Sequence, residues 1–268
     1  MKRTKRQTTG QHFLASGGII SKIVDCIDPG KEDWILEIGA GRGALTFPLT
    51  ERAGRVIAIE KDAAFLPVLR EMRLDNLDIR IQDVLDVRFA DLIPPPSPSR
   101  PTVKLAGNLP YSISSPILFK LLEEKRLFER VVFLVQKEVA ERICAGPDSK
   151  SYAPVSILIK NHFSAKLCFS VHPGSFIPPP KVTSALVMLK TRERPLFDLR
   201  EQERFLRFLR IVFLQRRKTF ANNLKSMGTP VAEIKKVLIE SGFDERVRAE
   251  QISPEKLHDL YLKLMPSG

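Results

Sequence analysis

Two short stretches carry residues whose types and spacing could do chemistry. In Glu37-Ile38-Gly39-Ala40-Gly41-Arg42-Gly43, three glycines alternate behind an acid. Glycines so placed let a backbone turn sharply and come close to a bound ligand. Gly107-Asn108-Leu109-Pro110-Tyr111 offers something different. The Asn108 side-chain oxygen and the Leu109 backbone carbonyl are two acceptors that can take both N–H bonds of one planar amino group. Pro110 restricts Leu109 to extended geometry, which aims that carbonyl. Tyr111 presents a face on which a base can stack, a contact worth about 1–3 kcal/mol. An amino group on an aromatic ring is a poor nucleophile, because its lone pair is delocalised. Taking both its N–H bonds favours a pyramidal nitrogen and frees the lone pair to attack an electrophilic carbon. No strong general base is required, since the nitrogen becomes acidic once it has reacted.

Two more acids extend the first stretch. Glu60 can accept two hydrogen bonds from a ribose diol, and Asp83 one from an adenine amino group. The run Gly39–Ala44 also satisfies the dinucleotide pattern G-x-G-x-x-G/A, and Glu60 suits either nucleotide. Two features favour the other reading. Glu37 ahead of the glycines resembles the first cofactor motif of S-adenosylmethionine methyltransferases. Gln82-Asp83 supplies an adenine contact that dehydrogenases do not need, although an acid there can also cap a helix. Asn108-Leu109-Pro110-Tyr111 resembles the motif of methyltransferases that act on exocyclic, planar nitrogens. Phe176 lies in His172-Pro-Gly-Ser-Phe-Ile-Pro-Pro-Pro-Lys181. The prolines stiffen this loop, which can present Phe176 as an exposed stacking wall; the alternative is a phenylalanine packed beneath its own loop.

These residues need elements to position them. Near-continuous apolar runs at Trp34–Ile38, Val56–Ile59, Ile79–Ile81, Val103–Ala106 and Val131–Val135 read as parallel strands covered on both faces. Helical stretches at Ala44–Arg52, Ala63–Arg73, Pro116–Glu124 and Glu138–Cys144 separate them. The alternation predicts a doubly wound α/β sheet, with ligands at the carboxyl ends of its strands. Leu167–Val171 and Ala185–Leu189 have nothing helical between them, which predicts an antiparallel hairpin at one sheet edge. Pro94–Pro101 contains five prolines and is a surface loop. From Glu201 the spacing of Phe205, Phe208, Leu209, Val212 and Phe213 is helical, and two further helices fall at Pro230–Ser241 and Pro254–Leu264. The domain boundary is placed at 194/195, giving a domain of residues 1–194 and a helical one of residues 195–268.

The 268 residues carry a formal charge of +12, with +5 on residues 200–268 and +7 on the rest. A basic surface of this size favours polyanions, and nucleic acid foremost, over the alternatives of an anionic membrane or mere solubility. Cys26, Cys144 and Cys168 are odd in number and without a paired spacing, so neither a disulfide nor a metal site is expected, and the compartment is read as reducing and cytoplasmic. His12, His162, His172 and His258 form no close ligand pair. Apolar runs are too short to span a bilayer, and the basic start lacks the apolar core of a secretion signal.

The segments GQHFL, EIGAGRGALT, IEKD, GNLPYSISSPIL, VQKEVAERI, PGSFIPPPKVTSAL and FLQRRKTFANNL follow in order from Gln11 to Leu224. Together they resemble the KsgA/Dim-type family of small-subunit ribosomal RNA adenine dimethylases. Erm-type methylases of 23S rRNA share the first half, but the last two segments favour the small-subunit branch. The resemblance implies a Rossmann-like class I methyltransferase with a seven-stranded, mostly parallel sheet and a small C-terminal α-helical domain. It implies S-adenosylmethionine as cofactor, and two methyl groups on N6 of each of two adjacent adenosines in the 3′-terminal hairpin of 16S rRNA. The implied partner is an immature small subunit, met by a monomeric enzyme in the cytoplasm during ribosome biogenesis. Cofactor contacts fall on His12, Leu14, Gly39, Glu60, Asp83 and Asn108, the catalytic wall on Asn108, Leu109, Tyr111 and Phe176. RNA contacts fall on Arg216, Arg217, Lys218 and the N-terminal lysines and arginines. Two positions depart from the family pattern: His12 and Ser112 stand where it often has Asn. A non-catalytic assembly factor and a dinucleotide-dependent oxidoreductase are the rival readings. Neither accounts for the intact Asn108-Leu109-Pro110-Tyr111.

Overall fold

The computed structural model describes residues 11–71, 73–94 and 102–265. The basic residues of the N-terminal arm and most of the Pro94–Pro101 loop lie outside the described residues. The chain divides into two compact units, 1–140 with 165–191 and 141–164 with 192–268. The second unit thus takes in residues 141–164, which a division at 194/195 leaves in the first.

In the first unit, β2 (Trp34–Ile38), β3 (Arg55–Glu60), β4 (Leu77–Ile81), β5 (Val103–Asn108) and β6 (Arg130–Gln136) are parallel. β9 (Ser184–Thr191) runs antiparallel to β6, and β7 (Phe163–Val171), which belongs to this unit from residue 165 on, lies beyond it at the edge, so the order is β4-β3-β2-β5-β6-β9-β7. Each of the five expected parallel strands is present: in β2, β3, β5 and β6 branched and large apolar residues fill both faces of the sheet, whereas edge strand β4 alternates apolar and polar residues. Ile35, Leu36, Val56, Ile57, Leu105 and Val131 are at most 2% exposed. β2 lies between β3 and β5, so the chain winds outward in opposite directions from it. That reversal opens a crevice at the carboxyl ends of β2 and β5. The register keeps these ends level, with Ile38 beside both Ile59 and Gly107.

Helices α2 (Thr46–Arg52), α3 (Leu66–Arg70), α4 (Ser114–Glu123) and α5 (Lys137–Cys144) follow β2, β3, β5 and β6. α1 (Gly17–Ile27) was not legible in the sequence. It opens with two glycines, the weakest ordinary helix formers, and is held by tertiary burial of Ile23, Val24 and Ile27. Its last carbonyls are capped from the sheet. Arg130 Nη1 donates to Cys26 O at 3.3 Å and Ile27 O at 3.4 Å, and the buried Lys104 ammonium bridges the Asp28 carbonyl and Asp33.

A separate two-stranded ribbon matters more for function. β1 (Phe13–Leu14) pairs antiparallel with β8 (Phe176–Ile177), Leu14 opposite Phe176. The segments GQHFL and PGSFIPPPK, about 160 residues apart in sequence, are therefore neighbours in space.

The second unit holds α6 (Pro154–His162), α7 (Gln202–Val212), α8 (Phe220–Leu224), α9 (Val231–Glu240) and α10 (Pro254–Leu264). α6 packs on α7 and α10, which explains why residues 141–164 group with the C-terminal helices. Phe205, Phe208, Phe220 and Tyr261 form an aromatic core there, and His258 stacks on Phe197 at 4.4 Å.

Candidate active site

The crevice holds a cavity of about 530 Å³, within the range of small-molecule sites. His12, Leu14, Gly39, Glu60, Asp83, Asn108, Leu109 and Tyr111 all line it. The structure thus brings together every expected residue of the first unit except Phe176.

The glycine loop is shaped by its backbone. Gly41 has φ +52°, and its N–H donates to Glu60 Oε2 at 2.8 Å. Gly43 has φ +83°, and a Cβ there would lie 2.4 Å from the Phe47 ring. Neither position accepts a side chain without displacing the loop. Phe13 covers this loop, with Arg42 stacked 4.9 Å from its ring centre.

Three acids are spaced along the cavity. Glu60 is 6% exposed. Its second oxygen accepts the Asp62 N–H at 2.8 Å, and each carboxylate oxygen keeps a lone pair for a further donor. Asp83 binds Lys61 Nζ at 2.6 Å and the Leu85 N–H at 3.0 Å. The Lys61 hydrogen bond, then the Leu85 N–H, hold its carboxyl below the ordinary carboxylate range, so it stays an acceptor. Glu37 is the residue that the sequence named in a motif but gave no role. It is 1% exposed, and among the described residues its Oε2 has no hydrogen-bond partner. Burial pushes its carboxyl up to about 7, against the pull of Thr46 and with a further push from the Glu60 charge. A buried carboxylate oxygen without a donor, on a cavity wall, calls for a cationic or donor group from the ligand.

Also lining the cavity, Asn108 donates from Nδ2 to the His12 carbonyl at 3.0 Å. A carbonyl can only accept, so the amide nitrogen must face it and Oδ1 is left as the acceptor. The Leu109 N–H donates to Leu134 O at 3.1 Å, fixing the peptide ahead of Pro110. Tyr111 is hydrogen-bonded to Ser184 Oγ at 2.8 Å. Ser184, on the distant strand β9, carried no signal in the sequence beyond the motif around it.

Two expectations need correction. Phe176 is not an exposed wall: it is 2% exposed, packs in the core with Leu14 and does not line the cavity. Its strand pairing is the reason. Successive side chains of a strand point to opposite faces, so Phe176 turns inward and Ile177, 63% exposed, turns out. Arg216 is exposed but already engaged within the protein. Its guanidinium donates to Tyr152 O at 2.8 Å and Ser149 O at 3.1 Å, and pairs with Glu250. Arg217 and Lys218 are exposed, with no ion pair among the described residues. Among those residues no group of acids, histidines and cysteines could hold a metal, and no helix is long and apolar enough to cross a membrane.

A doubly wound sheet whose switch point joins a glycine loop, strand-end acids and an Asn-Leu-Pro-Tyr turn defines a class I S-adenosylmethionine-dependent methyltransferase. The family model for ribosomal RNA adenine dimethylase matches residues 2–265, and the chain belongs to that family. It is 38% identical over 267 residues to a ribosomal RNA small subunit methyltransferase A of Geobacter sulfurreducens, covering 98% of this chain and 96% of the relative. Its structure resembles a dimethyladenosine transferase from Plasmodium falciparum with a TM-score of 0.80 and 27% identity, over 94% and 97% of the two chains. The 23S rRNA methyltransferase ErmE shares the fold, with a TM-score of 0.71 over 94% and 99% at 24% identity.

Proposed function

We propose that this protein dimethylates N6 of two adjacent adenosines in the 3′-terminal hairpin of 16S rRNA, within an immature small ribosomal subunit. It does so as a cytoplasmic monomer, and the reaction belongs to small-subunit biogenesis. The observation that carries the reading is the tethered Asn108, whose amide nitrogen is held by His12 and whose oxygen is left to accept. The small-subunit relative at 38% identity supports the choice of subunit.

The residues fit the cofactor. Glu37 answers a cationic amino group, Glu60 a ribose diol and Asp83 an adenine amino group, while the glycine loop permits close approach. Bound there, S-adenosylmethionine supplies a methyl group on a positively charged sulfur. Asn108 Oδ1 and the Leu109 carbonyl accept the two N–H bonds of the target adenine and localise its lone pair. Tyr111 stacks on the base and sets its height. Water in the open cavity takes the proton that the methylated nitrogen releases. Because the monomethylated amine keeps one N–H, one acceptor still holds it for the second transfer. Phe176, as placed, stacks on nothing in the cavity, so its share in the wall requires movement of the β8 loop. Arg217, Lys218 and the N-terminal arm contact RNA phosphates.

The test is transfer of labelled methyl groups to small subunits lacking N6-dimethyladenosine, with the positions mapped. Label on two adjacent adenines near the 3′ end is expected. Bound cofactor without label there would overturn the substrate and leave an assembly factor on a methyltransferase fold.

A further inference from the structure

The Tyr111 ring is held from two sides. Its hydroxyl bonds Ser184 Oγ at 2.8 Å, and Ser184 is 1% exposed at the start of β9. On the other side stands the His12 ring, with its centre 5.7 Å away and its plane tilted by 35°. The imidazole is itself tied down, with Nδ1 2.8 Å from the Pro178 carbonyl oxygen. A carbonyl only accepts, so Nδ1 must carry a proton. The backbone carbonyl of the same residue holds Asn108. His12 therefore links the proline loop, the amide acceptor and the aromatic platform.

A tyrosine turns about two side-chain bonds, and stacking depends on the plane it presents. A buried hydroxyl partner fixes the far end of the ring. A second ring against its side restrains the remaining tilt. We propose that His12 and Ser184 are positioning residues that together set the plane of Tyr111 for the target base. The assignment rests on the reading of Tyr111 as the base platform. It gives the His12 side chain a role directed at the RNA base, distinct from any contact of its backbone with the cofactor side.

The test compares kcat and KM on small subunits with the Kd for S-adenosylmethionine. S184A is expected to lower kcat/KM by about three- to tenfold, the scale of one hydrogen bond, without changing cofactor affinity. S184T is expected to restore it. In a Y111F background, where the hydroxyl is already gone, S184A should add nothing. H12N keeps a side-chain donor without a ring, and H12F keeps a ring without a donor. Each is expected to lose part of kcat/KM, and H12A more than either. Nitrogen chemical shifts should show His12 protonated at Nδ1. A full loss for S184A in the Y111F background, a loss confined to cofactor affinity, or a proton on Nε2 alone would overturn the brace. Impaired Y111A beside normal S184A and H12N would also overturn it. Near-normal turnover of Y111A would instead overturn the platform on which it rests.

Discussion

The glycine loop and the proline loop flank the same segment, Gln11–Leu14, yet they relate differently to their sequences. In the glycine loop, residue types dictate the backbone. Gly41 and Gly43 take positive φ, and the Gly41 N–H lands on Glu60. In the proline loop, residue types dictate stiffness but not direction. Phe176 lies between prolines yet turns into the core, because pairing with Leu14 fixes which face it occupies. A one-residue shift of that pairing would exchange Phe176 and Ile177. Backbone requirements are thus written in local sequence, while side-chain direction in a paired strand depends on a partner far along the chain.

The largest effect expected breaks this comparison on the proline side. If Phe176 is a core residue, Phe176→Ala costs about 3–5 kcal/mol of stability, the range for deleting a buried phenylalanine. Chemical denaturation checks it. A stable variant that binds cofactor but fails to methylate would restore Phe176 to the stacking wall. Next, Asn108→Ala should lower turnover by about a hundred- to a thousandfold, as for other preorganised hydrogen-bonding groups at a reacting centre, while cofactor binding, measured by calorimetry, stays largely intact. Near-normal turnover would remove Asn108 from its role.

On the glycine side, Glu37 gives a pH signature. Its carboxyl rises from an ordinary 4.5 in the unfolded chain to about 7 in the fold. The folded state therefore binds the proton more tightly, and stability falls as pH rises between those values. The loss is about 3 kcal/mol once both forms are ionised. Glu37→Gln should remove most of this slope in thermal unfolding without cofactor; an unchanged slope would mean that burial does not govern this carboxyl. Glu60→Ala should weaken cofactor binding by roughly 1.5–3 kcal/mol, the scale of charged hydrogen bonds. An unchanged dissociation constant would refute the ribose contact.

Four of the parallel strands were legible because their apolar runs are near-continuous, and β4 at the edge because Leu77, Ile79 and Ile81 alternate with polar residues. Glu60 and Asp83 were legible because each stands at or just past the end of a strand. Glu37 was visible in its motif, but only the structure shows its orphan oxygen. α1 and α6 were not legible. α1 starts with Gly17-Gly18, and α6 with Pro154 after a turn-rich stretch, so tertiary burial outweighs local propensity in α1. Ser184 and His12 meet Tyr111 only through strand order and a ribbon pairing, which no local pattern encodes.

A contrast between engaged and unengaged side chains recurs within Arg216-Arg217-Lys218, all three of them exposed. Three adjacent cations look equivalent in sequence, but the first is engaged by Tyr152, Ser149 and Glu250. Arg216→Ala should therefore act on the fold, costing about 1 kcal/mol after allowance for its partial exposure. It should leave the salt dependence of RNA binding nearly unchanged. Arg217→Ala and Lys218→Ala should do the reverse. If each meets one phosphate, each should lower the slope of log affinity against log salt by about 0.7–0.9, with little change in stability. Binding titrations across a salt series separate the two outcomes. Equal slope changes for all three would mean that Arg216 exchanges its internal partners for phosphate. The sequence-level equivalence of the triad would then hold in the complex although it fails in the free protein.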